Sequence, residues 1–250
     1  MIRLLYKHKV NLTSTRNQVR KVAWLAVITI CCIVYFFLVV AILHVLRSDV
    51  NTVRQAVSNY AIGPYGFLMI SAFFALALGM FSLASGLAGE MKLTRPAIIA
   101  LRLLYLASIG LVVVGIFPGD VNVPHPPATV TGFVHWIAAG TSFLSIMIAA
   151  FLLSYCFKED ERWQSFHHPA FVLASSAVAA LGVFAVLALI GWIGIGERIY
   201  IAISLLWPLV TAIQLWSHVT RKGIKGIMVL YDPSSSFDNR ASKKDDFYSL

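Results

Sequence analysis

Apolar runs long enough to cross a bilayer recur along this chain from end to end, and that recurrence restricts it to very few folds. A hydrocarbon core about 30 Å thick is spanned by roughly 20 apolar residues in a helix. A backbone facing lipid must also satisfy its own hydrogen bonds, which a helix does within one segment. We read six such segments, 22–46, 66–89, 97–117, 129–157, 169–196 and 199–219. The expected fold is an all-α integral membrane protein, a bundle of six transmembrane helices. Hydrophobic residues make up 59% of the 250 and charged residues only 12%, which excludes an ordinary soluble domain. Residues 1–21 form a basic leading segment, 22–219 the membrane domain, and 220–250 a polar tail expected to be disordered.

The basic residues orient the bundle. Six precede the first segment (Arg3, Lys7, Lys9, Arg16, Arg20, Lys21), and six follow the last. Lys92, Arg95, Lys158 and Arg162 fall in the second and fourth connections, whereas the first, third and fifth hold only Arg47, Arg54 and Arg198. This asymmetry predicts that both termini are cytoplasmic, in a multi-pass protein of the plasma (inner) membrane. The formal net charge of +9 is then a sidedness signal that also attracts anionic lipid, and no nucleic-acid partner is expected. The first apolar run is long and lacks a small-residue cleavage pattern after it, so no cleavable signal peptide is expected. Cys31 and Cys32 fall inside the first segment and Cys156 at the cytoplasmic end of the fourth, which leaves no disulfide for the outer face.

Local patterns add detail. Thr94 and Pro96 suit the start of the third helix, and Pro208 should kink the sixth. Small residues of the second helix, among them Ala75, Gly79, Ser82, Gly86 and Gly89, recur at the spacing that lets helices approach closely. That face suits packing within the bundle and also offers a route to a homo-oligomer. Trp24, Trp136, Trp163, Tyr200 and Trp216 fall near helix ends, as interfacial belts do. His167 and His168 read as part of a solvated cytoplasmic loop.

The unusual polar residues gather on the three outer connections. Ser58, Asn59 and Tyr60 lead through Gly63-Pro-Tyr-Gly66 into the second helix, Asp120 and His125 lie in the third connection, and Glu197 and Arg198 form the fifth. His135 sits about two turns into the fourth helix among apolar and small residues, where an unpaired imidazole is costly. Ser58, His135 and Asp120 are therefore the candidate catalytic residues, with His135 as a general base. Asp120 alternatively caps the turn after Pro118. Candidate ligand contacts are Ser58, Asn59, Asp120, His135 and Arg198, the last suited to a phosphate, with Tyr60, Tyr65 and Trp136 as walls. Asp120, His125, His135 and His44 contain no short-spaced ligand pair, so neither a metal nor a cofactor is expected.

The segments Ser58-Asn-Tyr-Ala-Ile-Gly-Pro-Tyr-Gly66, Gly115-Ile-Phe-Pro-Gly-Asp120, Gly132-Phe-Val-His135 and Gly196-Glu-Arg198, followed by Leu206-Trp207, resemble a bacterial and archaeal membrane-protein family, the domain of unknown function 998. The resemblance runs from about Val22 to Trp216 and implies a compact six-helix bundle with a shared outer-face site, but no activity. Asn59 stands where many members carry an acidic residue, and Thr131 where some carry a histidine; both departures weaken a metal site. The functional expectation is a protein that binds a membrane lipid or small amphiphile at its outer face. The alternatives are an enzyme acting on a lipid head group and a transport or sensory subunit.

Overall fold

A bilayer rewards one solution for apolar segments of this length, and the computed structural model contains it: among the described residues, six helices are long and apolar enough to cross a membrane. The structure describes the backbone of residues 2–120 and 128–230, and the side chains of 17–120 and 128–223. The helices are α1 (Ile2–Leu46), α2 (Gly66–Glu90), α3 (Arg95–Ile116), α4 (Val130–Glu159), α5 (Gln164–Leu189) and α6 (Ile193–Leu230). A short 3-10 helix, Val57–Ala61, interrupts the connection from α1 to α2. Each helix packs on its neighbours in sequence and α1 packs on α6, closing the bundle.

Several boundaries differ from the sequence reading. Helix α1 already begins at Ile2 and α6 continues to Leu230, past the expected limits at 22 and 219. The charges that mark where a bilayer ends do not end a helix. Helix α5 starts at Gln164, with Pro169 inside it and not at its start. His167 therefore belongs to a helix and not to a solvated loop, its Nδ1 lying 2.7 Å from the Ser154 carbonyl.

The break between α5 and α6 falls at Gly191, not at Gly196 to Arg198. Gly191 has φ of +81°, a left-handed conformation that glycine adopts without a Cβ penalty. The Trp192 amide donates to the Leu187 carbonyl at 2.8 Å and the Gly191 amide to Ala188 at 3.1 Å, the paired bonds of a Schellman ending. Glu197 and Arg198 thus stand on the opening turns of α6.

The expected start of α3 and the close packing of α2 are met. The Thr94 hydroxyl accepts from the Ala97 amide at 3.4 Å, and Pro96 lies in the first turn of α3. The α2 glycines are used within the chain: a Cβ at Gly79 would meet Cys32 of α1 at 3.2 Å, and one at Gly89 would meet Val22 at 3.2 Å. Thr29 of α1 donates to the Gly79 carbonyl at 3.1 Å across that close contact. Trp24, Trp136 and Trp216 are exposed, as interfacial residues should be, but Trp163 and Tyr200 are buried.

Both ends of the described chain lie at one end of the bundle, where a Cβ at Gly223 of α6 would fall 3.5 Å from Val19 of α1. The turns after α2 and α4 share that end, because the Lys92 amide donates to Asp160 at 3.1 Å. We call it the terminal end. The opposite, loop end carries residues 47–65, 117–120, 128–129 and 190–192.

Candidate functional site

At the loop end, two arginines fold the first connection. Arg47 is buried, and its Nη1 donates to the carbonyls of Ile62 at 2.8 Å and Pro64 at 2.9 Å. Its Nε and Nη2 fork onto Asp49, both at 2.8 Å, and this pairing holds the Asp49 carboxyl below the usual carboxylate range. Arg198 reaches across from α6. Its Nη1 donates to the carbonyls of Thr52 at 3.1 Å, Gln55 at 2.9 Å and Gly194 at 2.9 Å.

The other two nitrogens of Arg198 also find partners. Its Nη2 donates to the Tyr60 hydroxyl at 3.3 Å and its guanidinium lies 5.5 Å from the Tyr60 ring centre. Its Nε donates to His44 Nε2 at 3.1 Å, which requires His44 to carry its proton on Nδ1, and Nδ1 indeed lies 2.9 Å from the Val40 carbonyl. The sequence offered Arg198 as a ligand contact and Tyr60 and Tyr65 as walls of the site. The structure gives them other places: Arg198 clasps backbone, Tyr60 is fully buried beneath it, and Tyr65 sits exposed in a left-handed turn with φ of 60°.

Asp120 organises the third connection. One carboxylate oxygen accepts the amides of Ala128 at 2.8 Å and Thr129 at 3.1 Å, and the other accepts the Thr129 hydroxyl. Thr129 in turn caps α4 by accepting the Gly132 amide at 2.9 Å. The Thr129 hydroxyl and amide, with the Ala128 amide, hold the Asp120 carboxyl below its usual range. A Cβ at position 132 would overlap that carboxylate, which accounts for Gly132. Asp120 thus holds Ala128 and Thr129, the residues that lead into α4.

His135 is buried on the second turn of α4, its Nδ1 2.8 Å from the Phe117 carbonyl. A carbonyl only accepts, so Nδ1 bears the proton and a neutral His135 has its lone pair on Nε2. The ring meets Phe73 edge to face at 6.4 Å. Beside it opens a cavity of about 730 Å³, bounded by the first and third connections and by α4, α5 and α6. Ser58, Asn59, Asp120, His135 and Trp136 all line it. The structure brings these predicted residues to one space, although the bonds of His135 and Asp120 run to backbone and Thr129 and not to each other. Among the described residues, no three His, Cys, Asp or Glu side chains converge as metal ligands; His125 lies outside them.

The rest of the wall was not anticipated. Phe143 of α4, Phe184 of α5, and Glu197 and Tyr200 of α6 face the same cavity. Tyr200 stacks on Phe184 with ring centres 6.1 Å apart and 14° between planes, and it meets Phe143 at 5.3 Å. Glu197 accepts the Val57 amide at 2.6 Å, tying α6 to the 3-10 helix. A helix starting near 193 places Glu197 and Tyr200 one turn apart on one face, whereas a loop ending at 198 hides that relation.

A family model described as protein of unknown function (DUF998) matches residues 30–214. No curated protein and no solved structure gives a significant match.

Proposed function

The chain belongs to the DUF998 family, whose description assigns no activity, and we propose from its cavity that it binds a lipid or small amphiphile. The observation that carries this reading is a space of about 730 Å³ with polar groups at one edge and aromatic and aliphatic side chains elsewhere. Its side wall supports the entry of a chain from the bilayer. The buried residues of α5 are Phe166, Ala170, Ala174, Ala177 and Ala180, and none follows Ala180. The loop-end half of α5 therefore leans on α6, with Phe184 against Gly196, but buries no residue of its own beside the cavity. A Cβ at Gly140 of α4 or Gly182 of α5 would meet nothing within 4 Å.

The proposal extends to sidedness: the cavity faces away from the cytoplasm in a plasma membrane, with both termini cytoplasmic, because the connections bordering it are poor in basic residues. Cysteines introduced at the exposed Val130 and Asn17, in a chain lacking native cysteines, should label from opposite sides of sealed cells. Labelling from the same side would refute the orientation.

Native mass spectrometry with lipid extraction tests the binding reading. The wild-type protein should retain a defined amphiphile that Gly140→Leu, filling open space at the cavity wall, excludes without lowering the melting temperature. Identical lipid content in the two proteins would count against it. A second reading, head-group chemistry with His135 as base, draws on the lone pair that its Phe117 bond leaves on Nε2. Turnover of a retained lipid by wild type and not by His135→Gln would favour that reading.

A further inference from the structure

Glu197 is partly buried on a membrane-spanning helix and lines both the large cavity and a smaller inner pocket, a position it shares with Ser58 and His135. One of its oxygens takes the Val57 amide. The ion pairs among the described residues are Arg47 with Asp49, Arg162 with Asp160 and Lys222 with Glu90, and Glu197 is in none of them. Its neighbour Arg198 directs its guanidinium to the carbonyls of Thr52, Gln55 and Gly194 and to Tyr60 and His44. A carboxylate on a spanning helix whose adjacent cation, Arg198, is bonded to other groups is costly, so such groups commonly mark sites where a charge or proton is received.

The wall beside Glu197 is aromatic. Tyr200, one turn along α6, stacks on Phe184 and contacts Phe143, so three rings border the space that Glu197 faces. Ring faces together with a carboxylate form the arrangement that holds an ammonium group. The other charged wall residues do not compete for that role. Asp120 is occupied by Ala128 and Thr129, and Arg54 is exposed at the rim. We propose that the cavity recognises a cationic nitrogen, the amine or alkylammonium head of an amphiphile, held between Glu197 and the rings of Phe143, Phe184 and Tyr200. This deepens the amphiphile reading and rests on it.

The test titrates full-length protein in maltoside micelles with dodecyltrimethylammonium, with uncharged dodecanol and with tetramethylammonium, following the change in tryptophan fluorescence that is absent from Trp136→Phe. Wild type should prefer the ammonium amphiphile over dodecanol by roughly tenfold or more, the equivalent of about 1.4 kcal/mol. Glu197→Gln keeps an oxygen for the Val57 amide and should bring that ratio to near unity with dodecanol affinity unchanged. Phe184→Leu keeps the bulk but loses the ring face, and should weaken only the ammonium probe, by roughly three- to thirtyfold. It carries the test if Glu197→Gln fails to fold. Tetramethylammonium binding as tightly as the dodecyl probe would support the cationic nitrogen and make its source a small soluble amine. Equal wild-type affinity for the ammonium probe and dodecanol, with both lost in Gly140→Leu, would overturn the ammonium head and leave the amphiphile reading standing. Saturable binding of none of the probes, together with no retained lipid, would overturn both.

Discussion

At the terminal end of the bundle, charged side chains pair with one another and aromatic rings fill the space between helices. At the loop end, arginines hold backbone carbonyls and the space is left open. Lys222 reaches Glu90 at 3.0 Å, and Arg162 reaches Asp160 at 2.8 Å. Burial of Asp160 works against its charge, but the Arg162 and Lys92 bonds outweigh it and its carboxyl stays below the usual range. Between these pairs the fully buried Trp163 stacks on Phe157 at 4.8 Å and on His218 at 5.6 Å. A guanidinium has donors enough for several carbonyls, so Arg47 and Arg198 can each fix a loop without filling the volume beneath it. The contrast points to a division of labour, with a packed end that sets the bundle and an open end whose arginine-held connections frame a cavity.

The comparison breaks most visibly at Trp163. Trp163→Ala should cost about 3 to 5 kcal/mol, the usual loss for emptying a large buried aromatic site, read from unfolding in detergent. Retained probe binding in the folded fraction is expected. A change below about 1 kcal/mol would show that the terminal end does not anchor the bundle.

The clasp should respond less, and locally. Arg198→Lys replaces a fork serving three carbonyls with a single ammonium, at a cost of about 1 to 3 kcal/mol. Hydrogen exchange should rise in residues 50–62 and stay unchanged in α2 and α3. Uniform acceleration through the bundle would mean that Arg198 supports the whole fold and not one loop.

The smallest effect concerns acid. The folded Asp120 carboxyl lies below its ordinary value, so its contribution is present above about pH 4 and is lost as the pH falls through the lower folded value. Amide protection at Ala128, Thr129 and Gly132 should drop over that interval in wild type. In Asp120→Asn it should be lower from the outset and insensitive to acid. Equal pH dependence in the two proteins would place the acid sensitivity elsewhere.

The six spans were legible because a bilayer imposes length and hydropathy on each segment independently of its neighbours. The Thr94 cap was legible for a similar reason, since capping is settled within one turn. Helix ends beyond the bilayer were not, because α1 and α6 continue into polar residues that hydropathy separates from the spans. The break at Gly191 was hidden among three nearby glycines, of which only Gly191 takes a positive φ; a Cβ at Gly196 would instead crowd Phe184 at 2.9 Å, and one at Gly194 would overlap the Gln55 and Thr52 carbonyls.

The site divides along the same line. Composition and spacing alone placed Ser58, Asn59, Asp120, His135 and Trp136 at one end of a membrane bundle, because each lies near a span boundary whose position hydropathy fixes. Which polar groups remain to meet a ligand depended on the tertiary structure. Arg198 and Asp120 have the chemistry of binding residues, but their hydrogen bonds are satisfied by carbonyls and amides brought to them by other segments. Glu197 looked like a loop residue until α6 was seen to begin at Ile193. A hydrogen-bonding group can satisfy its need in the fold or in a ligand, and only the packing of α4, α5, α6 and the first and third connections around the cavity determines which it does.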